Sequence, residues 1–148
     1  MLTVPFHREH LNIMDKRDYE RNNFIPYLND VFLDAAELSP YSYTLMVDGR
    51  IISCMGCWIL WDGMAELWQI PSVYVKDYTR DYCRTVKGLL ESVAERMGAR
   101  RFQSACPADE VHDSWMKFIG FKCEGTLKEY SRDGGDFRMW ARRYNGIK

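Results

Sequence analysis

The sequence predicts a mixed α/β fold: an antiparallel three-strand meander, then a βαβ-type half, then a C-terminal hairpin. Three observations predict it. Asp48-Gly49 and Asp62-Gly63 are two-residue hairpin signals, and between them they separate three apolar runs. Asp81 to Met97 carries apolar residues at helical spacing, the clearest helix in the chain. The apolar runs around that helix are short and bounded by Gly, Pro and Asp, as strands are. A chain of 148 residues, 47% apolar and 28% charged, is long enough to bury a core without disulfide or metal staples, so a single domain over 1–148 is expected.

The elements follow in order. Leu2 to Phe6 reads as a short strand, and the helical stretch after it puts Leu11 and Met14 on one face. A second helix is expected to start near Pro26, since proline suits the first helical turn. Its buried stripe would be Leu28, Val31, Phe32, Ala35 and Leu38, stepping by three and four until Ser39-Pro40. Tyr43–Val47, Arg50–Trp61 and Met64–Ile70 form the meander, which Pro71 stops. Lys76 to Asp81 is expected as the turn into the long helix. That helix sets Tyr82, Val86, Leu89, Leu90, Val93 and Met97 on one face, with Arg84, Lys87, Glu91 and Glu95 elsewhere. Gly98 ends it as a glycine just past a helix does. Such a helix can carry the chain to a parallel neighbour, Arg101–Cys106. Asp109 is the expected N-cap of a short helix that buries Val111, Trp115, Phe118 and Ile119 and ends at Gly120. Lys122–Tyr130 and Phe137–Tyr144 are the last two strands, joined around Asp133-Gly134-Gly135.

Composition excludes several function classes. Twenty basic and twenty-one acidic residues give a formal charge of -1, so no global basic field holds nucleic acid or anionic lipid. The longest apolar stretch, Ile51 to Trp61, is broken by Ser53 and Gly56 and falls short of the roughly 20 residues a spanning helix needs. The first residues lack the basic start and apolar run of a secretory signal, so the expected compartment is the cytosol. Five cysteines, an odd number mostly within apolar stretches, fit reduced thiols. Cys54 and Cys57 have C-x-x-C spacing, but zinc would need a second pair, and the other cysteines and three histidines supply none. No metal site is expected. His112 reads as a surface residue, and His7 and His10 could line a groove near the N-terminus. Trp58, Trp61 and Trp68 lie on adjacent strands, as a shared core cluster or in part as an exposed docking patch.

This order resembles the GNAT superfamily of N-acetyltransferases over nearly the whole length, Leu2 to Tyr144. Three pieces carry the resemblance. The last meander strand opens with Ala65-Glu66-Leu67, and the long helix follows the loop from Pro71 to Arg80. Trp115-Met116-Lys117-Phe118-Ile119-Gly120-Phe121 is similar to the family's LYEKLGF run. Within the superfamily, Pro5-Phe6-His7-Arg8-Glu9-His10-Leu11 and Ser131-Arg132-Asp133-Gly134-Gly135-Asp136-Phe137 resemble stretches of GNAT-like proteins of short-tailed podophages, some of them internal virion proteins. That resemblance implies a phage protein of the host cytoplasm or the virion.

The family's activity is transfer of an acetyl group from acetyl-CoA to an amine, and its parts map unevenly onto this chain. The pantetheine arm would pair with backbone at a splay after the fourth strand, near Ile70 and Ser72. Pro71, which has no N–H, fits a splay and equally a strand end. The family's phosphate loop, Gln/Arg-x-x-Gly-x-Gly/Ala, falls on Asp81-Tyr82-Cys83-Arg84-Thr85-Val86, and neither glycine is present. Tyr82 and Arg84 are expected to sit where phosphates would lie and to close the cofactor cleft. Arg80, Arg84 and Lys87 could hold an anion through side chains, or could be ordinary solvated charge. Glu66 falls where several members carry their general base, and reads otherwise as an exposed strand residue. The family's leaving-group Tyr falls on Met116, whose thioether cannot donate a proton; Tyr78, Tyr82 and Tyr130 are the substitutes. The expected function is therefore a GNAT-fold module, degenerate in CoA binding, that engages a phage or host protein. The alternative is an active acetyltransferase using acetyl-CoA through an altered loop.

Overall fold

In the computed structural model, residues 1–144 are described. Strands β1 (Leu2–Pro5), β2 (Ser42–Val47), β3 (Arg50–Trp61), β4 (Met64–Pro71), β5 (Arg101–Pro107), β6 (Lys122–Leu127) and β7 (Phe137–Arg143) hydrogen-bond in the order β1-β2-β3-β4-β5-β7-β6. The helices are α1 (Glu9–Ile13), α2 (Asp18–Asn23), α3 (Asp30–Leu38), α4 (Thr79–Met97) and α5 (Glu110–Phe118). β1–β2 and β2–β3 pair antiparallel, and β4 pairs parallel with β5, Met64 to Glu66 facing Arg101 to Gln103. β5–β7 and β6–β7 are antiparallel. This is the predicted mixed α/β architecture, meander and hairpin included. Among the described residues no helix is long and apolar enough to cross a membrane.

The chain divides into two compact units. One comprises Met1–Trp58 and Leu67–Thr85, the other Ile59–Glu66 and the chain from Val86 onward. The first has a core of Phe6, Leu11, Met14, Ala36, Ile51, Cys54, Trp68 and Ile70. Trp68 is its hub: Phe6 and Phe32 meet its ring edge-on at 5.3 and 5.4 Å, and Trp58 lies 6.2 Å away. Gly56 makes this possible, since a methyl group there would lie 2.8 Å from Ser42 Oγ and 2.9 Å from the Trp68 ring. Trp58 and Trp68 thus share the expected cluster, whereas Trp61 is 60% exposed. The second unit buries Val86, Leu90, Val93, Phe102, Met116, Ile119, Phe121 and Trp140.

Several local expectations hold for their stated reasons. Gly98 has φ +63 just past α4, a conformation that costs glycine little. Asp109 caps α5, its side chain accepting the His112 N–H. Others need correction. Pro26 lies in a short 3-10 turn, Ile25–Tyr27, and α3 starts later, where Asn29 accepts the Phe32 N–H. Phase follows the cap: Phe32, Leu33 and Ala36 turn inward, while Val31, Ala35 and Leu38 face solvent. In α5 the inward residues are Met116 and Ile119, with Val111 and Phe118 exposed. The Phe118 ring instead carries the Lys87 ammonium, 4.7 Å from its centroid. Helix α2 was not expected. The turn into the long helix is itself helical, a 3-10 segment at Val73–Asp77, and α4 begins at Thr79 rather than Asp81.

Candidate functional site

The chain leaving β4 is the best-defined part of the first unit. Ser72 donates its N–H to the Ile52 carbonyl at 2.9 Å, and Ser53 Oγ donates to the Ile70 carbonyl at 3.4 Å. The peptide groups of Ile70 and Ser72 therefore turn toward β3. Both residues are fully buried, and Ser72 Oγ accepts the Tyr74 N–H at 3.1 Å. Peptides alternate along a strand, so the opposite edge is formed by Gln69, Pro71 and Val73. The two backbone positions expected to meet a cofactor are thus out of step by one residue with the outward edge.

Tyr82 corrects the sequence reading most plainly. It does not sit over a phosphate position; it is 2% exposed and turned into the core. Its hydroxyl donates to Ser53 Oγ at 3.2 Å and accepts from the Gln69 side-chain amide. Burial drives its pKa well above the usual phenol range, so it is not a ready acid. The Tyr82 N–H is bonded to the Tyr78 carbonyl at 2.9 Å. Arg84 and Val86, on which the loop glycines were expected to fall, are interior helical positions, Val86 being buried. Backbone donors at such positions serve the helix ladder and cannot cradle phosphate. The helix begins at Thr79, whose hydroxyl donates to the Val75 and Lys76 carbonyls at 3.2 and 3.1 Å. Arg80 and Arg84 are exposed on its surface.

In the second unit, Glu66 stands on β4 opposite Gln103 of β5. It is half-buried, and loss of water raises its carboxyl above the ordinary range, the direction a general base needs. Met116 is buried. Of the tyrosine substitutes, Tyr78 closes the 3-10 turn and Tyr130 lies against Phe137 at 5.2 Å, exposed. His112 is held by Asp109, Nδ1 lying 2.8 and 2.9 Å from its two carboxylate oxygens. Burial opposes ionisation of Asp109, yet the His112 backbone and ring hold its carboxyl below the usual range.

His10 Nδ1 lies 2.7 Å from Thr44 Oγ1, and desolvation and His7 lower its pKa. Cys54 and Cys57 are buried free thiols, pushed up by burial to about 11 and about 12. Among the described residues no group of three or more His, Cys, Asp or Glu could hold a metal ion.

No protein-family model matches the chain, and no curated protein matches it by sequence. Solved structures do. Smu.2055 from Streptococcus mutans UA159 superposes with a TM-score of 0.75 at 11% identity, covering 100% of both chains. Ard1 from Thermoplasma volcanium gives 0.74 at 12% identity, covering 98% of each. RimL, a ribosomal L7/L12 α-N-protein acetyltransferase in complex with coenzyme A, gives 0.60 at 18% identity over 71% of this chain; the match spans 63% of RimL's length. At these identities the likeness is one of fold: the chain has the fold of GNAT-family acetyltransferases.

Proposed function

We propose that this chain is a phage-encoded GNAT-fold protein of the host cytoplasm or virion that binds coenzyme A weakly and works by docking to a phage or host protein. One observation carries the reading: α4 starts at Thr79 behind the 3-10 turn Val73–Asp77, and no glycine lies between Gly63 and Gly88, so the segment that leads into the helix has none to let phosphate approach its backbone. A helix there offers a pyrophosphate side chains but no glycine cradle. The phage assignment rests on the two sequence stretches that resemble podophage proteins. Docking is supported by Ile59, Leu60 and Trp61, three consecutive large apolar residues, each more than 40% exposed. Tryptophan is enriched where proteins meet, and the near-neutral charge disfavours nucleic acid.

The test compares affinity purification from phage-infected cells using the wild-type chain and a Trp61→Ala variant. A partner retained by the first and lost by the second supports the reading. DNA retention that weakens steeply with salt, with no protein partner, contradicts it. One observation favours the second reading, an active acetyltransferase with Glu66 as general base: its carboxyl is half-buried and raised. In that reading acetyl-CoA supplies the acyl group, and Arg80 and Arg84 meet its phosphates.

A further inference from the structure

The outward edge beyond β4 is already occupied. Met14–Arg17 runs antiparallel beside it, with a β-bridge between Lys16 and Ser72. Val73, the first outward N–H after Pro71, donates to the Asp15 carbonyl at 3.0 Å. Pro71 itself has no N–H to offer. Side chains hold this short segment in place. The Tyr74 hydroxyl donates to Asp15 Oδ2 at 2.6 Å, and the Tyr74 ring lies under the Arg50 guanidinium at 4.9 Å. The Lys16 carbonyl accepts from Arg21 at 2.9 Å, and Arg17 grips the buried Glu20 at 2.6 and 2.8 Å. Met14 is anchored in the core.

We propose that Met14–Arg17 is an autoinhibitory strap: it holds the outward peptide edge at Val73 against any ligand that presents a chain of amides, such as the pantetheine arm of coenzyme A, and Asp15–Tyr74 is its latch. This rests on the reading of weak coenzyme A binding and gives it a second cause besides the missing glycines. An added strand and a ligand arm need the same donor, and one N–H in this geometry serves one of them. The strap is a competitor inside the same chain, so the apparent affinity of the ligand is reduced by the fraction of molecules in which the edge is strapped.

The experiment uses the full chain and two surface variants, Tyr74→Phe and Asp15→Ala, each removing the latch without touching the Val73 peptide. Amide exchange at Val73 reports the strap, and calorimetric titration with coenzyme A reports the ligand. Thermal melting checks that both variants are folded. The expected result is faster Val73 exchange and coenzyme A affinity raised by about tenfold in both variants, the lower end for a hydrogen bond to a charged group. Unchanged Val73 exchange overturns the latch, and faster exchange with unchanged affinity overturns the competition. If the wild-type chain binds coenzyme A tightly, the weak-binding reading fails by itself. The strap then stands only if bound coenzyme A alters Val73 exchange, and falls if it does not.

Discussion

Removing one oxygen from Tyr82 tests whether α4 is locked to β3 and β4 by a buried polar contact. In Tyr82→Phe the ring still fills its site, so the cavity cost is nearly absent. The loss is the hydrogen bond to Ser53 and the one from Gln69. Ser53 Oγ keeps the Ile70 and Cys54 carbonyls, both at 3.4 Å, so it is weakened rather than orphaned. Gln69 is partly exposed and can turn to water. A buried group stripped of its partner costs about 1–3 kcal/mol, and the partial compensation here points to about 1–2 kcal/mol. For a chain of this size 1 kcal/mol moves the melting midpoint by about 2–4 °C, so Tyr82→Phe should melt about 2–8 °C lower. Tyr82→Gly should behave differently. Emptying an aromatic site costs about 3–5 kcal/mol, and glycine inside a helix about 1 more, which approaches the whole stability of many domains. Paired thermal and urea melts read both. A Tyr82→Phe variant that melts like wild type, or a Tyr82→Gly variant that stays fully folded, would refute a core role for Tyr82 and restore it to a cofactor cleft.

Three further outcomes follow from the charged and thiol groups. Cys123 is exposed while burial raises Cys54, Cys57, Cys83 and Cys106, so a thiol reagent at neutral pH should label Cys123 first, and Cys54 and Cys57 only on unfolding, as peptide mapping would read. Arg8 holds Glu37 through its guanidinium and backbone N–H and lowers the carboxyl's pKa. The folded state therefore binds fewer protons, and the stability this adds is full above the ordinary glutamate value and lost as pH falls through the lower native one. Denaturation against pH should show a shallower acid limb in Glu37→Gln, and an unchanged limb would contradict the pairing. Glu66 has its pKa raised by desolvation, so folding slightly disfavours its charged form, and Glu66→Gln should not lower stability at neutral pH. Were the chain an active transferase, the same variant would lower turnover by about 10²–10⁴-fold, and wild-type turnover would remove Glu66 as the base.

The sequence was most legible where local chemistry and tertiary packing agree. Two Asp-Gly pairs, the face from Tyr82 to Val93, Gly98 and the Asp109 cap each have a local cause, and each recurs in the structure. Phase was harder. In α3 apolar residues lie nearly all round, so two stripes fit the same letters, and the cap at Asn29 chose between them. In α5, Val111 and Phe118 follow helical spacing yet face solvent, because Met116 and Ile119 fill the inward side. At the site, Glu66 on β4 was readable from its run, but which peptides face outward was not. That is a question of strand parity, where a one-residue step reverses every group, and long-range bonds such as Ser72–Ile52 and Val73–Asp15 answer it. The strap from Met14 to Arg17 is a contact between residues distant in sequence and leaves no local pattern.

The central claim is that the chain has the acetyltransferase fold without the means to hold the cofactor tightly. The most direct measurement is thermal melting with and without coenzyme A and acetyl-CoA. A ligand that binds only the folded state adds RT ln(1 + [L]/Kd), about 2.7 kcal/mol at 100-fold over Kd and about 0.4 kcal/mol at [L] equal to Kd. At about 2–4 °C per kcal/mol, weak binding predicts a shift of no more than about 2 °C at a ligand concentration of about 1 mM. A shift of about 5 °C or more with either ligand would contradict the account and leave an active transferase as the better reading.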